Sequence, residues 1–503
     1  MWRRLKNFDP IRLAVAAVCL CASVCALASL SWKIVQDAPV MLYQAHLMTV
    51  HGQMPYRDFF CINMPGALWA YAGMIRVFGL SDMALHLANL LIVAGIAVLN
   101  GLVFPCGQRL TGGLLAAGMG VMRVYSGESF FILQRELLAL FPLSAIAYVG
   151  LRRPLRGFGN EAALGFFVAC LGLIKPQFVL FGLPVLVLLV MDGETWAGRL
   201  RAAMAAGCAF AVPVVLCGVW LWQNGALPRF RETLAYWALY GQMTQDFAFV
   251  PSAERLRLVL RGEWALLRSP FMIAASGALW LAWRQRVLER REVVFWGSLL
   301  GVMLLALGLS GQFWGYHKLP FYFFTLMMAC RFAVCRGAGR WLAAGMAAVW
   351  IPFTAVHVWR ETAEPSVARL KQGVAAAFTQ CIQGRLRPGE TVLPMDWTYA
   401  ALHAMLRVDA LPATRFLEYS YFLHSVSHPL IRQFRGEFME QLAARAPRFI
   451  LEARAQDWPH GLDTEARFAD FECWRDARYR IVDEAEAYRV WEWNAGEEAR
   501  EDR

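Results

Sequence analysis

Asp37 stands just after the first long apolar run of the chain, at the depth where lipid headgroups meet water. A carboxylate there costs less than one at mid-membrane and is still partly desolvated, which suits a general base. The position equally suits an Asp capping a helix that begins near Pro39, with proline in the first turn, so position alone leaves both readings open. Lys175 follows Gly172-Leu-Ile and precedes Pro176-Gln177, placing a cation where two apolar helices meet with almost no loop. Such a cation either meets an anion, for which lipid phosphate is the natural choice, or snorkels to the interface. Gln134-Arg135-Glu136 sets opposite charges near the end of a hydrophobic helix, as an internal salt bridge or as a ligand site. Gly311 to Pro320 crowds aromatics with His317 and Lys318 into a short loop. An interfacial aromatic belt accounts for Trp314 and Tyr316, whereas His317 and Lys318 can both donate to phosphate oxygens.

These residues need a membrane scaffold to hold them. The chain has 503 residues, 58% of them hydrophobic and 13% aromatic, and a mean hydropathy of +0.41, above that of ordinary water-soluble folds. Apolar runs of roughly 20 residues, the length a bilayer requires, recur from Leu13 to Val356. After the first run, Leu13 to Trp32, helices are expected near 83–105, 111–124, 130–150, 159–174, 176–191, 202–222, 270–283, 293–310, 319–333 and 341–356, about eleven in all. Arg3, Arg4, Lys6 and Arg12 precede the first run, and Ala26-Leu27-Ala28 resembles a signal cleavage site. The run is long for a signal, and with or without cleavage Asp37 lies outside the cytoplasm.

The formal charge of +11 raises nucleic acid as a partner, but the arginines sit in short loops between apolar runs, not along one face. Arg109; Arg152, Arg153 and Arg156; Arg199 and Arg201; Arg284, Arg286, Arg290 and Arg291; and Arg331, Arg336 and Arg340 fall on one side when alternate loops are placed inside. The expected protein is thus an α-helical polytopic membrane protein, residues 1–356, with its N-terminus cytoplasmic. A small soluble α/β domain, residues 357–503, lies on the opposite side. Three outer stretches remain: Lys33 to Asp82, Gln223 to Ser269, and Ser310 to Lys318. In the first, Pro39 to Val50 and Met64 to Phe78 read as interfacial helices. In the tail, Thr391 to Leu393, Arg448 to Leu451, Tyr479 to Val482 and Tyr488 to Trp493 are β-prone, and Pro429 to Arg445 is helical.

No Walker loop, dinucleotide fingerprint, zinc spacing or Gly-x-Ser-x-Gly elbow occurs, which argues against ATP-driven transport. Most of the 12 cysteines, such as Cys19, Cys21, Cys25, Cys170, Cys208 and Cys217, sit in apolar runs as small hydrophobes. Cys381 and Cys473 in an exported tail are candidates for a disulfide. Ala38 and Pro39 follow Asp37, so an Asp-x-Asp metal pair is missing there, and neither a metal nor another cofactor is expected.

The order of features resembles the membrane glycosyltransferases of the GT-C fold, relatives of bacterial aminoarabinose transferases and protein O-mannosyltransferases. The resemblance is carried by Asp37, Gly52-Gln-Met-Pro-Tyr56-Arg57-Asp58-Phe59, Asn63-Met-Pro65-Gly66, Phe78-Gly79-Leu-Ser, Gly172-Leu-Ile-Lys175-Pro176-Gln177 and Gly315-Tyr316-His317-Lys318-Leu-Pro320, across roughly the first 330 residues. It implies a bacterial inner-membrane enzyme. Its donor would be a sugar on a polyprenyl phosphate, its acceptor an envelope glycan, lipid or protein outside the cytoplasm. Asp37 would deprotonate the acceptor for inverting displacement, and Lys175, His317 and Lys318, with Arg57 and Arg135 behind them, would hold the departing phosphate. Asp58 would fix Arg57 or bind sugar hydroxyls, and Tyr56, Gln177 and Tyr316 would line the sugar or acceptor site. Many relatives carry a second acid where Ala38 stands, and Glu128 or Glu136 is the candidate additional acidic partner. Two rivals are a flippase of lipid-linked sugar, which should show internal repeats not found here, and a non-catalytic assembly factor.

Overall fold

The structure, a computed structural model, describes residues 9–494 except 36, 152–157, 244–249, 251, 288, 312, 335–337, 365, 397–399 and 455–462. The expectations attached to Arg3, Arg4, Lys6, Arg152, Arg153, Arg156, Gln312 and Arg336 fall outside these residues.

Helix α1 (Pro10–Ala28) starts where the Asp9 carboxylate accepts from the Ile11 amide and proline fills the first turn. After a short turn come α2 (Ala38–Thr49) and α3 (Pro65–Phe78). The chain then builds α4 (Asp82–Leu102), α5 (Leu114–Tyr125), α6 (Arg135–Leu151), α7 (Phe158–Ile174), α8 (Gly182–Asp192) and α9 (Trp196–Gln223). Where one helix over 176–191 was expected, a six-residue 3-10 turn, Pro176–Phe181, precedes α8. Pro176 lacks an amide hydrogen and forces Lys175 into extended backbone, φ −150° and ψ 119°, so α7 must stop at Ile174.

The stretch expected as an outer loop over 223–269 folds into α10 (Leu227–Met243) and α11 (Ser252–Leu267). Helices α12 (Pro270–Arg284), α13 (Arg290–Ser310), α14 (Leu319–Ala333) and α15 (Ala338–Ala363) follow. Among the described residues, five helical stretches are long and apolar enough to cross a membrane: 10–31, 82–102, 196–223, 290–310 and 339–382. Helices α11 and α12, bent by 57° at their junction, add a sixth if they form one span. The protein is therefore a multi-pass membrane protein.

Beyond α15, helix α16 (Ser366–Ile382) leads into the C-terminal part, where β1 (Thr391–Met395), α17 (Ala400–Arg407), β2 (Leu411–Pro412), α18 (Pro429–Ala444), β3 (Phe449–Ala453), α19 (Ala469–Asp476), β4 (Tyr479–Ala485) and β5 (Tyr488–Trp493) follow in order. The five strands lie in the order β2-β1-β3-β5-β4, with β1 parallel to β2 and β3, and β5 antiparallel to β3 and β4. Alternation sorts the strands' side chains onto two faces. Val392, Phe449, Leu451 and Val490 join Phe378 of α16 and Leu402 of α17 in a core continuous with the membrane helices. Leu393, Ile450 and Trp491 join Phe434 and Phe438 of α18 and Phe471 of α19 on the opposite face. Cys381 and Cys473 are free thiols. The disulfide considered for them does not form, because α16 and α19 lie on opposite faces of the sheet.

The loop between α2 and α3 is clasped between these parts. Phe60 from that loop, with Tyr236 and Leu239 of α10, enters the core around α18 and α19. Helix α2 is buried from Ala38 through Leu47, with α3 on one side and α17 on another.

Candidate active site

Asp37 immediately precedes α2, yet its side chain makes no capping hydrogen bond. Its carboxylate, 12% exposed, instead faces Arg135, with Oδ2 3.7 Å from Nη2. Arg135 is held from behind: Nη1 donates to Asn63 Oδ1 at 2.6 Å, and Asn63 Nδ2 donates to Gln44 Oε1 at 3.1 Å. Gln44 lies on α2, so that helix supplies both the carboxylate's anchor and the support for its cationic partner.

Arg135 and Glu136 do not pair with each other. Adjacent helical residues diverge by about 100°, so Glu136 turns inward, where Oε1 meets Lys175 Nζ at 2.5 Å and His317 Nε2 at 3.3 Å. Glu136 is fully buried, and its Oε2 has no hydrogen-bond partner. Gly66 makes this convergence possible, because a Cβ there would lie 2.7 Å from the Leu173 carbonyl, blocking the approach of α3 to the end of α7 beside Lys175.

Arg135, Lys175 and Gln177 form the polar end of a cavity of about 200 Å³, whose apolar wall includes Ile174, Leu309 and Trp237. Trp237 is fixed by donation from Nε1 to the Ile62 carbonyl at 2.9 Å. His317 opens with Lys175 and Gln177 onto an adjoining recess, stacked on Trp314 and edge-on to Tyr316. Asp37 lies one contact behind the cavity, across Arg135. Burial pushes its carboxyl above the ordinary carboxylate value; Arg135, Lys371 and Lys175 oppose that shift, and Glu136 adds to it.

Over nearly its whole length the chain matches the crystal structure of ArnT from Cupriavidus metallidurans bound to undecaprenyl phosphate, with 12% identity, 96% of this chain and 98% of that chain covered, and a TM-score of 0.63. The apo structure of the same protein matches at 14% identity, over 96% and 97% of the two chains, with a TM-score of 0.55. The chain has the GT-C fold. A crystal structure of the Archaeoglobus fulgidus oligosaccharyltransferase is more distant, with 9% identity, 86% and 68% coverage and a TM-score of 0.44. No protein-family model matches the sequence, nor does any curated protein.

Within this GT-C frame the remaining candidates fall elsewhere. Arg57 is bidentate to its neighbour Asp58, with both contacts at 2.8 Å, and also donates to the Asn224 carbonyl. Asp58 further accepts from the Met54 amide, so it holds Arg57 in place and closes the loop. Tyr56, at φ 70° and buried, donates to the Asn63 carbonyl at 2.6 Å. Glu128 pairs with His357 at 2.9 Å. Lys318 occupies the N-cap position of α14. None of these five is among the described residues lining the cavity beside Arg135 and Lys175.

Three contributors were not singled out from the sequence. Asn63 appeared only within a motif, Gln44 only inside the expected Pro39 to Val50 helix, and Lys371 not at all. Lys371, on α16, is one of only five lysines in the chain and is the third cation acting on Asp37. In a chain that otherwise uses arginine, the scarcity of lysine was the available signal.

Proposed function

We propose that the protein is an inverting glycosyltransferase that moves a sugar from a polyprenyl-phosphate donor to an acceptor hydroxyl outside the cytoplasm. The observation that carries this reading is one desolvated carboxylate, Asp37, facing Arg135, which with Lys175 and Gln177 lines a partly apolar cavity. The fold it shares with ArnT, crystallised with undecaprenyl phosphate, supports the donor class.

Asp37 takes the proton of the acceptor hydroxyl as its oxygen forms the new bond to the anomeric carbon. The bond from that carbon to the phosphate oxygen breaks with its electron pair, and the polyprenyl phosphate departs as an anion. A phosphate leaving group is stabilised by charge rather than by proton donation, which is the work of Arg135 and Lys175 with His317 adjacent. In the resting cluster Arg135 and Lys175 offset Asp37 and Glu136, so an arriving phosphate must draw Lys175 partly from Glu136 or recruit protonated His317. The cavity's apolar wall suits the first isoprene units, Gln177 in its lining is placed to orient sugar hydroxyls, and Tyr316 supports His317 edge-on from behind.

The topology we infer places the N-terminus in the cytoplasm, about eleven helices across the bacterial inner membrane, and the α/β domain over the outer face. The test is sugar transfer by purified protein in lipid nanodiscs, using donor lipid labelled in the sugar. Asp37→Asn should reduce turnover by about 10²- to 10⁴-fold while still retaining polyprenyl phosphate. Full transfer by that variant would remove Asp37 from the reaction, and lipid-linked sugar moved across the bilayer without transfer would establish a flippase.

A further inference from the structure

The end of α2 remote from Asp37 carries a second cluster. His46 in its last turn and His51 just beyond it both direct Nε2 at Asp409 Oδ1, each at 2.7 Å. The two rings stand nearly perpendicular, with centroids 5.3 Å apart, and the three ligand-capable atoms lie within 4.8 Å of one another. Asp409 belongs to the turn between α17 and β2, and its φ of 55° is the left-handed conformation Asp tolerates better than most residues.

We propose that His46, His51 and Asp409 bind a divalent transition-metal ion, zinc by donor type, with water completing the coordination. Two imidazole nitrogens and a carboxylate oxygen are the ligands zinc takes where a position stays open. Exposure is graded accordingly: the side chains of His46 and His51 are 8% and 22% exposed and Asp409 59%, so two nitrogens are fixed inside and the open side faces solvent for entry and for water. Zinc–nitrogen bonds of about 2.0–2.1 Å in a tetrahedron separate ligand atoms by about 3.3 Å. The present contacts are shorter by roughly half an ångström, a distance that rotation of the exposed Asp409 side chain covers. Without a metal, a single carboxylate oxygen must serve both imidazoles.

The site would tie the first outer loop to the C-terminal part. Tyr43, one turn back on α2, already donates to the Ala410 carbonyl at 2.7 Å, so the same turn is seated on the helix at two levels. Fixing α2 also fixes the residue preceding it, Asp37; that consequence rests on the function proposed above, whereas the site does not.

The experiment uses untagged full-length protein in detergent, stripped with EDTA, given zinc chloride, and passed through gel filtration before zinc is counted by mass spectrometry. About one zinc per chain should remain, and the unfolding midpoint should rise by several degrees on zinc addition. Both effects should vanish in His51→Ala and in Asp409→Ala. His51 is partly exposed, so His51→Ala serves even if His46→Ala fails to fold. A wild type that retains no more zinc than His51→Ala, or a midpoint response that survives both substitutions, would overturn the site and leave a hydrogen-bonded His–Asp–His cluster. Neither readout involves sugar transfer, so failure here leaves the reading of Asp37 untouched, and the converse holds too.

Discussion

Two buried charge clusters hold parts of this protein together, and they are built differently. Around Arg415, Glu232 of α10 and Glu437 of α18 contact one guanidinium at 2.7–2.8 Å, and the rings of Phe60, Phe416 and Phe434 lie 4.6–5.6 Å from it. Aromatic faces pack directly on that guanidinium. Around Arg135 the carboxylate contact is looser, at 3.7 Å, and one side opens on a cavity. A buried pair sealed by aromatics fixes geometry, whereas one bordering empty space can exchange partners when an anion arrives.

That contrast predicts a clean division of effects. The largest should be on turnover, in Asp37→Asn, with little loss of stability, since the carboxyl already bears a desolvation penalty that the amide avoids. Arg415→Ala should do the opposite, lowering unfolding free energy by about 2 kcal/mol, because Glu232 and Glu437 lose the buried guanidinium and keep only the more exposed Arg229, as measured by chemical denaturation. Lys175→Met should show both effects, because it uncovers Glu136. Adding Glu136→Gln should restore most of the stability and none of the turnover, and recovery of both would make Lys175 purely structural.

Asn63→Ala, which removes the support of Arg135, should lower kcat by about tenfold with KM for the donor less affected. The pH profile sharpens the comparison further. The proposed base Asp37 would act when ionised, and its affinity for protons is raised by burial, so activity should fall with decreasing pH at a value above that of an ordinary carboxylate. Arg135→Gln should move that limb higher still, since Arg135 opposes the shift. The smallest effect is expected at Cys473→Ser, within about 0.5 kcal/mol, because that exposed thiol forms no cross-link.

Much of the helical frame was legible. Expected and observed bounds agree within a few residues at 319–333, 270–284 and 158–174, because continuous apolar runs ended by proline, glycine or arginine leave little choice. The strand at Tyr488–Trp493 was equally plain from its aromatic and β-branched residues. Helices α10 and α11 were not, since their polar composition in isolation reads as loop. Only docking Tyr236 and Leu239 into the C-terminal core gives α10 its stabilising face. Local spacing likewise could not reveal the His46, His51 and Asp409 cluster, whose members are up to 363 positions apart.

Sequence alone determined that the chain enters a membrane, which residues are chemically scarce there, and that Asp37, Lys175 and His317 each end or border an apolar run. Which charge meets which was decided only by tertiary packing. Arg135 and Glu136 are neighbours in the chain but diverge on the helix, so one turns toward Asp37 and the other toward Lys175 and His317. Hydropathy reports a residue's preferred surroundings, whereas its partner depends on helix rotation and close approach, as where Gly66 admits the end of α7.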